Sequence, residues 1–246
     1  MKKITLAAAL TVAFTVLTAV GLSAQTPYAF PVRPGTEAWK TLKTHREKVA
    51  VSQIPQHALR RLSTPDLIAS LLDYPLLVDM FLFNGYREGF TTMTTRFNGF
   101  QELQGRKDLG PALLKAYRRH RPSIFKNASP EEMGRQALLL TAMEMTVADD
   151  RILSKVGQRE KEALLREVLA VKAEKERGGP TFGGRARLVS AYCAASLLTS
   201  LPRPQSRMAD AAGYARMKAL VARMEAADPT IPDLVFREAA EYLKSL

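Results

Sequence analysis

The apolar side chains of this chain recur three and four residues apart along most of its length, and this spacing constrains the fold more than any other feature. Leu67, Ile68, Leu71 and Leu72, for example, would share one face of a helix. Strict alternation of apolar and polar residues, which is the pattern of a half-buried strand, is missing. The sequence therefore predicts an all-α fold, either a compact irregular bundle or an α-α layered, solenoid-like array of about eight to ten short helices.

Residues that begin and end helices mark many of the boundaries. Ser63 or Thr64 followed by Pro65 predicts a helix start, and the chain should leave helical geometry before Pro75. Pro75 can open a further helix that Asn84 and a following glycine would close in a left-handed conformation. Short helices with tight corners should result.

The same signals continue downstream. Ser129 with Glu132 three residues later is the pattern of a capping box, which predicts a helix that runs to about Thr146. Further helices are predicted over roughly 157–177, 185–201 and 205–227, and a last one after Pro232. The inner face of the last helix should carry Val235, Ala239, Tyr242 and Leu246.

The first 24 residues have the layout of a secretory signal peptide. Two lysines precede an apolar run from Ile4 to about Val20, and small residues end at Ala24. We expect cleavage after this segment and a protein exported to the periplasm or the outside of a bacterium. The alternative is an uncleaved anchor, because the run approaches the roughly 20 residues that span a bilayer. No later run is apolar for long enough to span.

The rest of the chain divides by composition. Residues 25–35 contain three prolines and no helical period, so we expect an extended leader. Residues 36–246 are expected to form a single α-helical domain. The glycine-rich run "AEKERGGPTFGG" makes residues 174–184 the candidate for a hinge between subdomains.

Charge and cysteine content narrow the class of protein. The formal net charge is +12, and loss of Lys2 and Lys3 with a signal peptide would lower it by two. Such a charge favours anionic surfaces, although a solvated surface rich in arginine is the plainer interpretation. Cys193 is the only cysteine, so no disulfide can form within the chain and an apolar core must provide the stability.

The densest basic cluster lies in "KAYRRHRP". Lys115, Arg118, Arg119 and Arg121 could form a patch that contacts an anionic surface. Cations are also favoured at the C-terminus of a helix by its dipole, which explains the cluster without a ligand. Nucleic acid is not the expected partner, because export separates the protein from it.

Half of the ten phenylalanines lie between residues 71 and 108. We predict that they converge in a buried core, because aromatic rings at helical spacing usually serve packing. A second hypothesis concerns the polar residues among them, which could line a cleft that binds a sugar or a peptide. Asn98 also has a structural alternative, since it could cap a helix together with Gln101. The phenylalanines are Phe81, Phe83, Phe90, Phe97 and Phe100, and the candidate binding residues are Asp73, Tyr74, Asn84, Arg96 and Asn98.

Common catalytic signatures are missing from the sequence. It contains no HExxH, GxSxG, GxGxxG or phosphate-loop motif, and no metal or cofactor is predicted. Cys193 lies on an apolar stripe, which favours an inert thiol. Paired carboxylates leave little trace in a sequence, so a hydrolase of that type stays open. The candidate pairs are Asp73 with Asp79, and Glu144 with Asp149 or Asp150.

The segments "IPQHALRRLSTPDLIASLLDYPLLVDM", "EGF" and "RFNGFQEL", within residues 54–103, carry a resemblance to a known pattern. The pattern has an Ile-Pro start, a Leu-Ser-Thr cap, an Asp/Asn-Tyr-Pro-Leu corner and a Phe-Asn-Gly end. It resembles that of exported bacterial helical proteins for which no activity is established, so the resemblance implies a helical fold and export and no catalytic residue. The matching positions are Ile54, Pro55, Leu62, Ser63, Thr64, Leu67, Asp73, Tyr74, Pro75, Leu76, Asp79, Gly89, Phe97 and Asn98.

Three functions are compatible with these features. The first is an exported helical module that binds a protein, a peptide or an envelope polymer, and the missing catalytic motifs favour it over an enzyme. The second is a hydrolase of glycan or peptide that uses two carboxylates, which would require a deep cleft with paired acids. The third is a structural envelope protein held by charge.

Overall fold

The computed structural model describes residues 26–125, 128–177, 182–202, 211–224 and 228–246. Within these ranges all regular structure is helical, which confirms the predicted all-α class, and no helix is long and apolar enough to cross a bilayer. The expected signal peptide (1–24) and residues 178–181 of the expected hinge lie outside the described residues. The elements are α1 (Glu37–Thr41), α2 (His45–Val51), α3 (Gln56–Leu59), α4 (Thr64–Leu72), α5 (Tyr86–Arg96), α6 (Asn98–Leu103), α7 (Leu109–Arg119), α8 (Pro130–Ala148), α9 (Asp150–Leu153), α10 (Gln158–Arg177), α11 (Gly184–Ser200), α12 (Ala211–Arg223) and α13 (Ile231–Lys244), with 3₁₀ segments at Leu77–Phe81 and Pro122–Phe125.

The helix starts follow the predicted capping chemistry. The Ser63 hydroxyl accepts a hydrogen bond from the Asp66 N–H, Pro65 lies in the first turn, and α4 ends before Asp73. Ser129 and Glu132 form the predicted capping box at the start of α8. Side-chain caps satisfy N–H groups that a helix leaves without a partner in its first turn.

The corner after Pro75 differs from its prediction. Residues 77–81 form one short 3₁₀ segment in place of the predicted α-helix. Gly85 does not close a helix in a left-handed conformation. It has a φ of −144°, in the extended region, and precedes α5 as its N-cap. Asn84 is exposed in the bend just before it.

The first half of the molecule packs around α4, which contacts α6 and α7. Phe90, Phe97 and Phe100 are buried there, as predicted. Phe90 and Phe100 meet edge to face with their ring centroids 5.8 Å apart, a favourable geometry for aromatic pairs. Phe81 and Phe83 do not join this core, because Phe81 is exposed and Phe83 is only half-buried.

Residues 26–30 run alongside α4 and belong to the same core. The Thr26 N–H donates to the Asp66 carboxylate and the Tyr28 N–H donates to the Ser70 hydroxyl, each over 2.8 Å. Phe30 is buried, with its ring centroid 6.0 Å from that of Tyr74. The leader thus supplies a ring that the helices surround.

Helix α11 is the centre of the second half, where α8, α10, α12 and α13 all contact it. Every residue from 189 to 198 is buried, so this stretch has no solvent face. Cys193 therefore lies in a helix buried all round rather than on one stripe, and burial raises the pKa of its thiol well above the ordinary range. This agrees with the predicted inert thiol. The small side chains of Ala191, Ala194 and Ala195 let neighbouring helices approach closely.

An ion pair lies inside this helical layer. Lys175 on α10 donates to Glu144 on α8 over 2.7 Å, and both side chains are buried. The hydroxyls of Ser190 and Tyr117 donate to the other oxygen of the Glu144 carboxylate, over 2.7 and 2.9 Å. These bonds satisfy charges that would otherwise be very unfavourable in a core. Burial and the negative Glu144 both raise the pKa of the Tyr117 phenol.

The inner face of α13 is the predicted one, except at the C-terminal end. Val235, Ala239 and Tyr242 are buried against the core. Leu246 is exposed, contrary to prediction, because α13 ends at Lys244 and the residue lies beyond the helical stripe.

The close approach of α5 to the segment 77–81 gives a stability prediction. A Cβ on Gly89 would lie 2.0 Å from the backbone carbonyl oxygen of Met80, so Gly89→Ala must push the two elements apart. We expect a loss of about 1–3 kcal/mol in the free energy of unfolding, measured with urea. Gly134→Ala, in α8, is the matched control, because a Cβ there meets nothing within 4 Å. It should stabilise by up to about 1 kcal/mol, and equal destabilisation by both substitutions would contradict the assignment.

The buried ion pair gives a second prediction. Lys175→Met leaves the Glu144 carboxylate buried without its cation, and should lower the free energy of unfolding by about 3–5 kcal/mol. The double substitution Glu144→Gln, Lys175→Met should recover much of that loss, because no buried charge remains. Lys244→Met, which removes the exposed partner of Glu241, should change stability little. If the double variant is no more stable than Lys175→Met, the buried charge is not the cause.

Candidate functional site

A pocket of about 230 Å³ opens between α2, the segment 77–81 and α5. Most of its lining is apolar, and a few polar side chains converge on it, which is the usual composition of a ligand site. We call it the Asp79 pocket. Its lining residues are His45, Val49, Tyr74, Leu76, Asp79, Leu82, Phe83, Thr92, Met93 and Arg96.

Asp79 is the carboxylate of this pocket. Its side chain is only 16% exposed, and its Oδ2 atom is buried without a hydrogen-bond partner. The nearest basic side chain is His45, whose Nδ1 lies 3.6 Å from that oxygen. Burial raises the pKa of the Asp79 carboxyl, and the charges of His45, Lys48 and Arg96 offset part of that rise. An acceptor without a donor is therefore held inside the pocket.

Tyr74 connects the pocket with the core. Its ring lies against that of Phe97, with centroids 4.2 Å apart and planes inclined by 31°. Burial raises the pKa of the Tyr74 phenol well above its usual value, and Asp79 adds to the rise. The positive charge of Arg96 acts in the opposite direction. The phenol is therefore a neutral hydroxyl near both charged groups.

Arg96 is the last residue of α5, so its side chain leaves the helix at the pocket rim. The side chain is exposed, and it makes no hydrogen bond or ion pair within the described part of the chain. Its guanidinium carries five donors in a planar fork. These donors remain open to a ligand.

The other three predicted site residues lie elsewhere. Asp73 accepts from the Arg33 guanidinium over 2.6 Å, which fastens the leader to the end of α4. Asn84 is exposed and does not line the pocket. Asn98 is used structurally: its side chain accepts from the Ile54 N–H over 3.1 Å and donates to the Ile54 carbonyl over 2.7 Å. Tyr74 and Arg96 are the predicted residues that the structure brings together.

The predicted capping role of Asn98 is wrong. Phe97 is the N-cap of α6, and the side chain of Asn98 does not cap the helix because its amide is bound to Ile54. The N–H of Asn98 instead donates to the side chain of Gln53 over 3.0 Å. Gln101 donates to the Thr95 carbonyl instead of completing a capping box.

Sequence reasoning missed His45 as a pocket residue and considered Asp79 only as half of an acid pair. His45 belongs to α2, more than thirty residues before Asp79, and the region between them contains two helices. No local spacing could have joined them. The sequence did contain one signal for this site. Asp79 stands among apolar residues in "LLVDMF", and an acid in such surroundings is expected to be buried.

The candidate acid pairs are separated or occupied. Asp79 is the only acid among the described residues that line its pocket, and Asp73 binds Arg33 elsewhere. Glu144 is buried in its ion pair with Lys175. Asp149 and Asp150 do line a second cleft, of about 130 Å³, but arginines accompany both. The two contacts are Arg151 with Asp149 over 2.7 Å and Arg87 with Asp150 over 3.6 Å.

The basic cluster at the end of α7 is partly neutralised by α10. Arg118 contacts Glu167 over 3.0 Å, and Arg121 contacts Glu167 and also Glu174. Lys115 and Arg119 are exposed. Half of the predicted anionic-surface patch is therefore engaged in ion pairs within the protein.

Three apolar side chains are exposed on or directly after the segment 77–81, which borders the Asp79 pocket. Val78, Phe81 and Leu82 are exposed to 52%, 38% and 78%, and Leu82 also lines the pocket. We call these three residues the apolar ridge. Clusters of exposed apolar side chains are typical of interaction surfaces, while single ones are not informative.

A second, wider groove of about 430 Å³ lies between α8 and the start of α11, and Phe81 forms part of its lining. Tyr86, Thr141 and Arg185 are the described side chains of its lining that carry polar groups, and the other described lining residues are apolar or glycine. Unlike the Asp79 pocket, its described lining has no buried charged group that would select a ligand.

Comparison with protein-family models, with curated proteins and with solved structures gave no match. In the described ranges, no group of three or more His, Cys, Asp or Glu side chains is arranged to hold a metal ion.

The raised pKa of Asp79 predicts a pH-dependent stability. The ionised carboxylate is less favourable in the fold than in the unfolded chain, so its contribution is complete below about pH 4 and is lost as the pH rises through the folded pKa. Asp79→Asn should therefore be more stable than the wild type at about pH 7, and this difference should shrink on acidification. Urea unfolding at several pH values measures it. His45, Lys48, Arg96 and Tyr74 all face Asp79, so the series is repeated in a His45→Gln background to separate the effect of Asp79 from that of its nearest basic neighbour.

Asp228 is the control, because its pKa is shifted in the direction opposite to that of Asp79. The Thr230 hydroxyl and N–H donate to its carboxylate, which lowers its pKa. Asp228→Asn should therefore be less stable than the wild type at about pH 7 and should approach it at low pH. If both variants show the same sign, the difference does not come from desolvation of Asp79.

Proposed function

We propose that this protein is an exported helical binding module that holds a peptide segment of a partner protein in the Asp79 pocket. The observation that carries the proposal is an apolar pocket that contains a buried carboxylate oxygen with no hydrogen bond, beside an exposed apolar ridge. Sites of this kind bind apolar groups and orient them through a few polar contacts. Burying a polar atom without a partner is unfavourable, so a ligand that supplies the missing donor gains binding energy.

A peptide fits this lining better than a glycan or an anionic polymer. Each sugar ring carries several hydroxyls that need hydrogen-bond partners, and the pocket offers few polar side chains among Val49, Leu76, Phe83 and Met93. An apolar peptide side chain needs no such partners. The apolar ridge extends the same surface for neighbouring residues of the peptide.

The proposed location outside the cytoplasm is supported by the first 24 residues, with their lysines, apolar run and small residues. The resemblance of residues 54–103 to exported helical proteins points the same way. Among the positions that carry it, Tyr74, Leu76 and Asp79 line the pocket.

The hydrolase alternative has less support. Glycoside cleavage of the usual kind needs two carboxyl groups on either side of the bond, and one acid lines the Asp79 pocket. Asp149 and Asp150 share a cleft, but each has an arginine next to it. Binding requires no second acid.

Binding is tested with a library of random octapeptides with free termini, passed over immobilised protein that contains residues 26–246. The wild type should retain peptides enriched in apolar residues. Thr92→Trp, which fills the pocket, should lose them. Thr95→Trp is the matched control, because it lies on the same helix, is exposed and does not line the pocket.

Two outcomes would contradict the proposal. One is equal retention of peptides by both tryptophan variants. The other is the absence of retained peptides together with binding to phosphatidylglycerol vesicles that Leu82→Ser abolishes, which would make the apolar ridge a lipid-binding surface. Circular dichroism of each variant establishes that it is folded.

A further inference from the structure

The Asp79 pocket contains two open polar groups of opposite kinds. The buried Oδ2 of Asp79 is an acceptor without a donor, and the guanidinium of Arg96 at the rim is a set of donors without an acceptor. A ligand that satisfies both must therefore present an N–H or O–H group inside and an acceptor outside. This inference rests on the proposed function, since it concerns the same pocket.

The charges around the pocket favour an anionic group at the rim. Asp79 is the only acid that the described part of the chain places in the lining, while Lys48 and Arg96 both act on it electrostatically and His45 lies 3.6 Å from it. Cations therefore outnumber the acid. The planar fork of an arginine matches a carboxylate in a bidentate geometry, and such charge-assisted pairs are about twice as strong as neutral ones.

The same charges disfavour an amine inside. An ammonium group at Asp79 would also lie near Lys48, Arg96 and the His45 ring, which repel it when they are charged. A neutral amide N–H donates equally well and carries no charge. The donor that fits is therefore a peptide N–H rather than the amino group of a free amino acid.

The size of the pocket limits how much of the ligand enters. Its volume of about 230 Å³ is below the roughly 300–1,000 Å³ of sites for drug-sized ligands, so one side chain fits. Val49, Leu76, Phe83 and Met93 would surround that side chain with apolar groups. A donor, a carboxylate and one apolar side chain are the three parts of the last residue of a peptide.

We propose that the Asp79 pocket binds the C-terminal residue of a peptide. The backbone N–H of that residue donates to Asp79, its terminal carboxylate accepts from Arg96, and its apolar side chain fills the pocket. The preceding residues lie against the apolar ridge. Capture of a chain terminus by a positively polarised site is a known mode of peptide recognition.

The test compares peptides that differ only at the terminus. Acetyl-Gly-Gly-Leu with a free carboxylate is titrated into ¹⁵N-labelled protein containing residues 26–246, and the same tripeptide is titrated as its C-terminal amide. We expect chemical-shift changes at Leu76, Asp79 and Met93, and a dissociation constant about tenfold larger for the amide. Methylation of the last peptide nitrogen, which removes the donor to Asp79, should also weaken binding.

A double-mutant comparison locates the effect at Arg96. Arg96→Gln should weaken binding of the free acid about tenfold and leave binding of the amide nearly unchanged. Arg46→Gln is the matched control for net charge, because Arg46 is exposed on α2 and does not line the pocket. It should preserve the difference between the two peptides.

The outcomes separate this inference from the proposed function. Equal affinity for the acid and the amide, with both lost in Thr92→Trp, would overturn C-terminal recognition and leave the peptide-binding function standing. Free leucine that binds as tightly as the tripeptide acid would also overturn it. If neither the tripeptides nor the octapeptide library binds, both proposals are contradicted.

Discussion

The arrangement of the pocket depends on the contact between α5 and the segment 77–81. Gly89 has no side chain, so the backbone of α5 can lie directly against the Met80 carbonyl. That contact sets Asp79, next to Met80, opposite Arg96 at the end of α5. Phe97 follows and packs on Tyr74, which connects the pocket with the buried rings. A backbone contact between two short elements thus determines where an acceptor, a hydroxyl and a cation meet.

The helical class and most helix starts could be predicted from the sequence because they have local causes. Ser63 and Ser129 accept hydrogen bonds from N–H groups within their own first turns, so residues a few positions apart contain the whole signal. The structure of the corner after Pro75 was harder to predict. Proline restricts the residue before it, but whether the next turn becomes an α-helix or a 3₁₀ segment depends on the packing of α5.

The candidate site could be predicted only in part, for a similar reason. Tyr74 and Arg96 attracted attention as polar groups among aromatic residues, and they do lie at one pocket. Asn98 looked like a cap because asparagine often is one, yet its amide has a better partner in the backbone of Ile54, which only the tertiary fold brings near. His45 reaches the pocket from a separate helix, so no sequence spacing marks it.

The two halves of the molecule use polar groups in different ways. Around α11, Glu144 and Lys175 are buried, and the bonds from Ser190 and Tyr117 complete the coordination of the carboxylate. Such a network leaves nothing for a ligand and restricts how α8, α10 and α11 can pack. Near α2 and α5, the Asp79 carboxylate is also buried, but its Oδ2 atom accepts no hydrogen bond. This contrast is what distinguishes a structural polar group from a candidate binding group here.

The ring of Phe30 limits how far the chain can be shortened from its N-terminal side. Residues 26–30 have hydrogen-bond partners on α4, so they belong to the folded body. Removal of residues 26–35 would expose Tyr74 and Phe97 to water and leave Asp73 without Arg33. An extended segment without a helix is in this way as necessary to the aromatic core as the helices around it.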